Sequence, residues 1–128
     1  MAETEKITIN LGVVDLGKID LLVEQGFYTN RTDFIRTSIR GQLDKHEENL
    51  QQAITHKNFI LGILIYDADY LIKKQNQGQT IEISIIGMLT LAKDIHPELA
   101  RNTIKSIKVL GIFNASDEVK EALADRIK

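Results

Sequence analysis

Lys6, Thr8 and Asn10 alternate with Ile7, Ile9 and Leu11 near the start of the chain. A period of two is that of a half-buried strand, which puts a cation, a hydroxyl and an amide on one face and three apolar side chains on the other. Those three polar types can donate to or accept from base edges in a DNA groove. The segment that follows is helical, so so short a strand has no sheet to join there. The simplest partner is the same strand of a second copy, paired antiparallel about a two-fold axis.

Other residue types that could do chemistry are sparse. There are no cysteines, which excludes disulfides, thiolate metal sites and thiol nucleophiles. The three imidazoles, His46, His56 and His96, show no i, i+4 or H-x-H spacing that would put two on one metal. We expect no metal and no cofactor. Asp67, Asp69, Asp94 and Glu98 fall at or near expected helix starts, where capping and the helix dipole account for them. No phosphate loop, dinucleotide fingerprint or nucleophile elbow occurs, so an enzyme is not expected.

The elements that would position the polar strand face are legible. Leu16, Ile19, Leu22 and Val23 recur at helical spacing over Asp15–Gln25, and Gly26 stands where a helix stops. After Phe27 and Tyr28, the run Asn30-Arg31-Thr32-Asp33 opens a second helix with a capping-box pattern. Phe34, Ile35, Ile39 and Leu43 continue its apolar face, with Arg31, Arg36 and Arg40 among its polar positions. Strand, helix, tight turn and capped helix over residues 5–46 resemble the ribbon-helix-helix family of DNA-binding proteins, to which the Met and Arc repressors belong. The stretch from Gly26 to Arg36 is similar to that family's second-helix signature.

The resemblance implies a homodimeric, sequence-specific transcriptional regulator of bacterial type, a repressor acting by occupying its operator. It implies that Lys6, Thr8 and Asn10 enter the major groove of double-stranded DNA from both copies. Asn10 suits adenine, Lys6 suits guanine, and Thr8 suits a base edge or a thymine methyl. By position, the backbone at Asn30, Arg31 and Thr32, the Arg31 side chain and, more weakly, Thr29 would hold phosphates. Ile7, Ile9, Leu11, Leu16, Ile19, Leu22, Val23, Phe34, Ile35 and Ile39 would build an intertwined dimer core. A segment of this size buries too little to stand alone, so folding and dimerisation should be one event.

Charge weighs mildly against this reading. The net charge is −2, and residues 1–48 hold six basic against nine acidic groups. Bulk attraction to DNA is therefore weak. The convergence of two Lys6 side chains and two helix N-termini on one surface can outweigh the sum, because backbone N–H groups at a helix start bind phosphate without a lysine.

Residues 1–5 read as a polar tail, expected to be disordered without a ligand. Residues 47–58 read as a linker, either a helical spacer or a broken one. Beyond it lies an internal repeat. Phe59-Ile60-Leu61-Gly62-Ile63-Leu64, Ser84-Ile85-Ile86-Gly87-Met88-Leu89 and Lys108-Val109-Leu110-Gly111-Ile112-Phe113 align on glycines 25 and 24 residues apart (87 − 62 and 111 − 87). Each unit predicts a strand and then a helix, the helices running from Asp67 or Ala68 to Gln75, Pro97 to Ser106 and Asp117 to Ile127. Pro97 suits a first helical residue and Ser116 a cap, while Gln77-Gly78-Gln79 reads as a turn. The strands are nearly continuous apolar runs, as expected when helices cover a parallel sheet. The expectation is an α+β chain: a dimeric, two-stranded antiparallel ribbon with its helices over residues 1–46, and over residues 59–128 an α/β domain of about three βα repeats, a short solenoid-like parallel sheet.

The carboxy-terminal domain would assemble dimers, to a tetramer or higher, or sense a small ligand. The same head also serves antitoxins and plasmid-partition proteins. A folded residues 59–128 differs from the disordered toxin-binding tail usual there. A protein-interaction ribbon that never meets DNA is the other alternative. Composition is that of an ordinary soluble protein, with 43% hydrophobic and 27% charged residues. No signal peptide and no membrane-spanning apolar run is apparent, so a cytoplasmic location and no membrane partner are expected.

Overall fold

The computed structural model describes residues 4–128; Met1, Ala2 and Glu3, and with them most of the expected polar tail, lie outside the described residues. The chain divides into two compact units, one reaching to Gln52 and one starting at Ala53.

The first unit is built of helices. Helix α1 spans Val13–Glu24, starting two residues earlier than the apolar spacing suggested, with Gly12 as an N-cap that offers no side-chain bond. It ends where expected. Gly26 adopts φ +86°, its N–H bonds the Val23 carbonyl at 3.0 Å, and the N–H of Phe27 bonds that of Leu22 at 3.0 Å. This is a left-handed glycine stop that satisfies two end carbonyls. Helix α2 spans Arg31–Lys45 and α3 spans Glu47–His56. The helical run is interrupted at His46 (φ −103°, ψ 9°), and the expected linker 47–58 is helical up to His56.

The second unit is a three-stranded parallel sheet in the order β1-β2-β3, with β1 Ile60–Tyr66, β2 Ile81–Leu91 and β3 Ile104–Asn114. Helix α4 (Ala68–Asn76) follows β1, α5 (Pro97–Thr103) follows β2 and α6 (Asp117–Ala122) follows β3. The glycine alignment is the sheet register: Gly62 pairs with Gly87, and Gly87 with Gly111. Caps hold two of the helix starts as expected, Asp67 Oδ1 accepting from the Tyr70 N–H (2.9 Å) and Ser116 Oγ from that of Val119 (3.2 Å).

Two expected helices are shorter than their sequence pattern. Helix α5 stops at Thr103 because Ile104, wholly buried, already belongs to β3. Helix α6 stops at Ala122 because the end of the chain turns back to the sheet. There Ile127 bridges Ile107, and the N–H groups of Ile107 and Lys128 bond the carbonyls of Arg126 (2.9 Å) and Ile107 (2.8 Å). Arg101 and Arg126 fasten this turn. Arg101 pairs with Asp125 at 2.9 Å and bonds the Ala122 carbonyl, while Arg126 donates to the carbonyls of Ile104 and Arg101.

The core of this unit joins Leu71, Ala100 and Val119 from the three helices, and Leu123 just past α6, to Ile83, Ile85, Leu89 and Leu91 of the central strand and Ile104 and Ile107 of β3. The helices pack side by side, α4 on α5 and α5 on α6, against that one face. The opposite face, with Leu61, Ile63 and Ile65 of β1 and Leu110 of β3, stays exposed in the single chain. Helical cover was expected for the sheet; within the chain it reaches only one side.

Candidate nucleic-acid interface

Lys6, Thr8 and Asn10 lie in a stretch, Thr4–Gly12, that forms neither helix nor strand within the chain, and all three are exposed. Ile7 and Ile9 are exposed to 75% and 63% and Leu11 to 42%. The alternation is present in sequence, but among the described residues no strand pairs with it.

Of the remaining residues expected in a dimer core, one is buried within the single chain. Ile19 is buried; Leu16, Leu22, Val23, Phe34 and Ile35 are half-buried; Ile39 is 48% exposed. Tyr28 packs edge-on to Phe34, ring centres 5.0 Å apart, which fixes the turn between the helices. Ile39 and Leu43 also line a shallow apolar hollow with Ser38, Gln42 and His46. Two helices with one buried side chain between them bury too little apolar area to offset the entropy of ordering.

The start of α2 is built by reciprocal capping. Asn30 Oδ1 accepts from the Asp33 N–H at 2.8 Å, and Asp33 Oδ2 accepts from the Thr29 N–H at 2.9 Å. The carboxylate thus reaches one residue further back than the expected box, to Thr29 and not to Asn30. The Thr29 N–H is occupied, whereas those of Asn30, Arg31 and Thr32 make no hydrogen bond to the described residues. Such groups at a helix start, aligned with its dipole, are donors for an anion.

The four residues expected at phosphates do not share one place. Thr29, Asn30 and Thr32 line a hollow of about 350 Å³ with Asp33, Arg36, Thr37 and Arg40. Arg31 is not among its lining residues; its guanidinium meets Asp20 of α1 through Nε–Oδ1 at 2.7 Å and Nη2–Oδ2 at 2.8 Å. That hydrogen-bonded pair holds the Asp20 carboxyl below the usual carboxylate range and pushes the Arg31 guanidinium up. Arg36 and Arg40, in contrast, make no ion pair among the described residues. They line the hollow, although position along the helix had not placed them among the phosphate candidates. The i, i+4 spacing of Thr32, Arg36 and Arg40 on one helix face was the available signal.

His46, His56 and His96 lie at the α2–α3 break, in α3 and at the cap of α5, all exposed. Among the described residues no group of three or more His, Cys, Asp or Glu side chains could hold a metal ion. Asp94 accepts from the Ala68 N–H at 3.2 Å, tying a loop to the start of α4. Among the described residues no helix is long and apolar enough to cross a membrane.

Neither the curated proteins nor the solved structures compared with this chain gave a match. A family model did match, over residues 2–120, so the likeness seen in residues 5–46 extends through most of the βα repeats. The chain belongs to the ribbon-helix-helix transcriptional regulator family, whose members bind DNA and typically dimerise.

Proposed function

We propose that this protein is a repressor that binds DNA as a homodimer, with Lys6–Asn10 of two copies paired into an antiparallel ribbon inside the major groove. Lys6, Thr8 and Asn10 read base edges there. The N–H groups of Asn30, Arg31 and Thr32, with Thr29 as a side-chain contact, hold phosphates and set register. Arg36 and Arg40 add charge to the same hollow. Ile7, Ile9 and Leu11 turn inward onto Leu16, Ile19, Leu22, Val23, Phe34, Ile35 and Ile39 of both copies. Residues 59–128 hold dimers together, so that neighbouring operator repeats are bound jointly through effective concentration.

One observation carries the reading: an alternating segment with three exposed apolar side chains and no strand partner among the described residues precedes two helices that barely bury each other. Selection of bound DNA from a random pool tests it. An inverted or tandem repeat is expected, and Lys6→Ala with Asn10→Ala should abolish its preference while leaving the dimer intact. Unchanged affinity in that double variant would instead favour a ribbon that serves protein contacts alone.

A second reading, regulation by a small ligand, has a specific support. A cavity of about 450 Å³ opens at the carboxyl ends of β2 and β3, lined by Thr90, Lys93, Asn114, Ser116 and Lys120 among others. Open parallel sheets bind ligands at that end. A ligand bound there would change operator affinity without contacting DNA.

A further inference from the structure

The three strands repeat one another in backbone conformation. Gly62, Gly87 and Gly111 adopt φ +141°, +137° and +125°, values that side chains rarely allow. For the two inner glycines the cause is visible. A Cβ on Gly87 would lie 2.0 Å from the Gly62 carbonyl oxygen, and one on Gly111 would lie 2.0 Å from that of Gly87. At Gly62 none of the described residues lies within 4 Å of the same position. The outer side of β1 therefore carries the conformation that, further into the sheet, receives a neighbouring strand.

The chemistry of β1 agrees. Phe59–Tyr66 holds no charged residue and no proline. Ile60, Leu61, Ile63 and Ile65 are 48%, 65%, 48% and 67% exposed. Proteins normally protect a sheet edge with lysine, proline, a bulge or a covering segment. The far edge, β3, has such cover where Ile127 bridges Ile107. Among the described residues β1 has none.

We propose that the β1 edge is an interface between two copies of this chain, β1 pairing antiparallel with its counterpart about a two-fold axis at Ile63. The inference rests on the assembly reading above and names the surface for it. A second copy is the occupant because an uncharged strand can pair with itself without opposing like charges. A two-fold pairing of identical edges is isologous, and its antiparallel ladder uses the full length of both strands. Centring on Ile63, the middle of the seven residues, sets it against itself and Leu61 against Ile65, which joins the exposed apolar rows of both sheets. Gly62 then opposes Leu64, whose side chain has room beside a residue without a Cβ.

The chain has no cysteine, so Ile63→Cys introduces its only thiol. Directly opposed residues of an antiparallel pair have Cβ atoms about 4.5–5.5 Å apart, close to disulfide reach. Mild oxidation of the full-length variant should give a covalent dimer, and Ile72→Cys, exposed on α4, should not. Amide exchange on the unsubstituted chain is the second measurement. N–H groups of β1 that point away from β2 should be protected as strongly as those that point towards it. Cross-linking at Ile63→Cys no greater than at Ile72→Cys, together with rapid exchange at alternate β1 positions, overturns the proposal. So does preferential cross-linking of Ile63→Cys to Ile9→Cys in a mixture, which would assign the edge to the amino-terminal segment. DNA binding is read separately through Lys6→Ala, so a failure here leaves the ribbon reading standing and the reverse.

Discussion

Arg31 and Asp20 meet in a two-pronged ion pair, Nε to Oδ1 at 2.7 Å and Nη2 to Oδ2 at 2.8 Å, that ties the first residue of α2 to α1. Both side chains are about half exposed (56% and 48%), so water and salt screen the pair and its worth in stability is small. Its interest lies in competition, because a phosphate at the start of α2 would have to draw the guanidinium from a carboxylate already in place.

Asp20→Asn is therefore expected to tighten DNA binding. The carboxylate charge near the phosphate path is gone and the Arg31 fork is released. Affinity should rise up to about tenfold and the salt dependence should steepen by about one ion. Fluorescence anisotropy with a selected operator, repeated across a salt series, measures both. Weaker binding with an unchanged salt slope would make the pair a structural brace for the α1–α2 turn.

The glycine ladder gives a graded stability prediction. Gly87→Ala forces a Cβ into the Gly62 carbonyl at 2.0 Å, between two strands that cannot both move aside. We expect a loss of at least about 3 kcal/mol, enough to unfold many small domains. Gly62→Ala meets only the backbone strain of φ +141°, and should cost about 1–2 kcal/mol in the isolated sheet. Urea unfolding followed by circular dichroism ranks the two. Equal costs would mean that φ alone, and not the carbonyl contact, keeps these positions glycine.

Acid should weaken the fold through two exposed carboxylates. Hydrogen bonds from Arg31 and Arg101 hold the Asp20 and Asp125 carboxyls below the usual range. A carboxyl whose folded value is depressed contributes stability above its unfolded value, about pH 3.9, and that contribution is lost as the pH falls through the lower, folded value. Unfolding curves should thus be insensitive to these groups between about pH 5 and 7 and diverge below about pH 4. There the native chain should lose stability more steeply than Asp20→Asn with Asp125→Asn. A divergence appearing near neutral pH would point to other groups.

Much of the candidate interface was readable because its signals are local. Asn30 and Asp33 cap within four residues, and Gly26 stops a helix by its own backbone freedom. Arg31 was assigned by position along the helix, and its partner Asp20 lies eleven residues earlier, across a turn whose angle no local pattern encodes. Arg36 and Arg40 were visible as an i, i+4 pair, but their meeting with Thr29 and Asn30 in one hollow depends on how α2 begins.

By itself the sequence determined the period of the sheet. Glycines 25 and 24 residues apart required three equivalent backbone positions, and Gly62, Gly87 and Gly111 duly stand side by side in the parallel ladder. Tertiary structure alone decided which side of that sheet the helices take. Leu61 and Leu64 are equally apolar in sequence, yet Leu64 packs on the helical core and Leu61 stays 65% exposed. A side chain's chemistry states that it avoids water; which surface removes it from water is set by the path of the chain between strands and by any second chain that arrives.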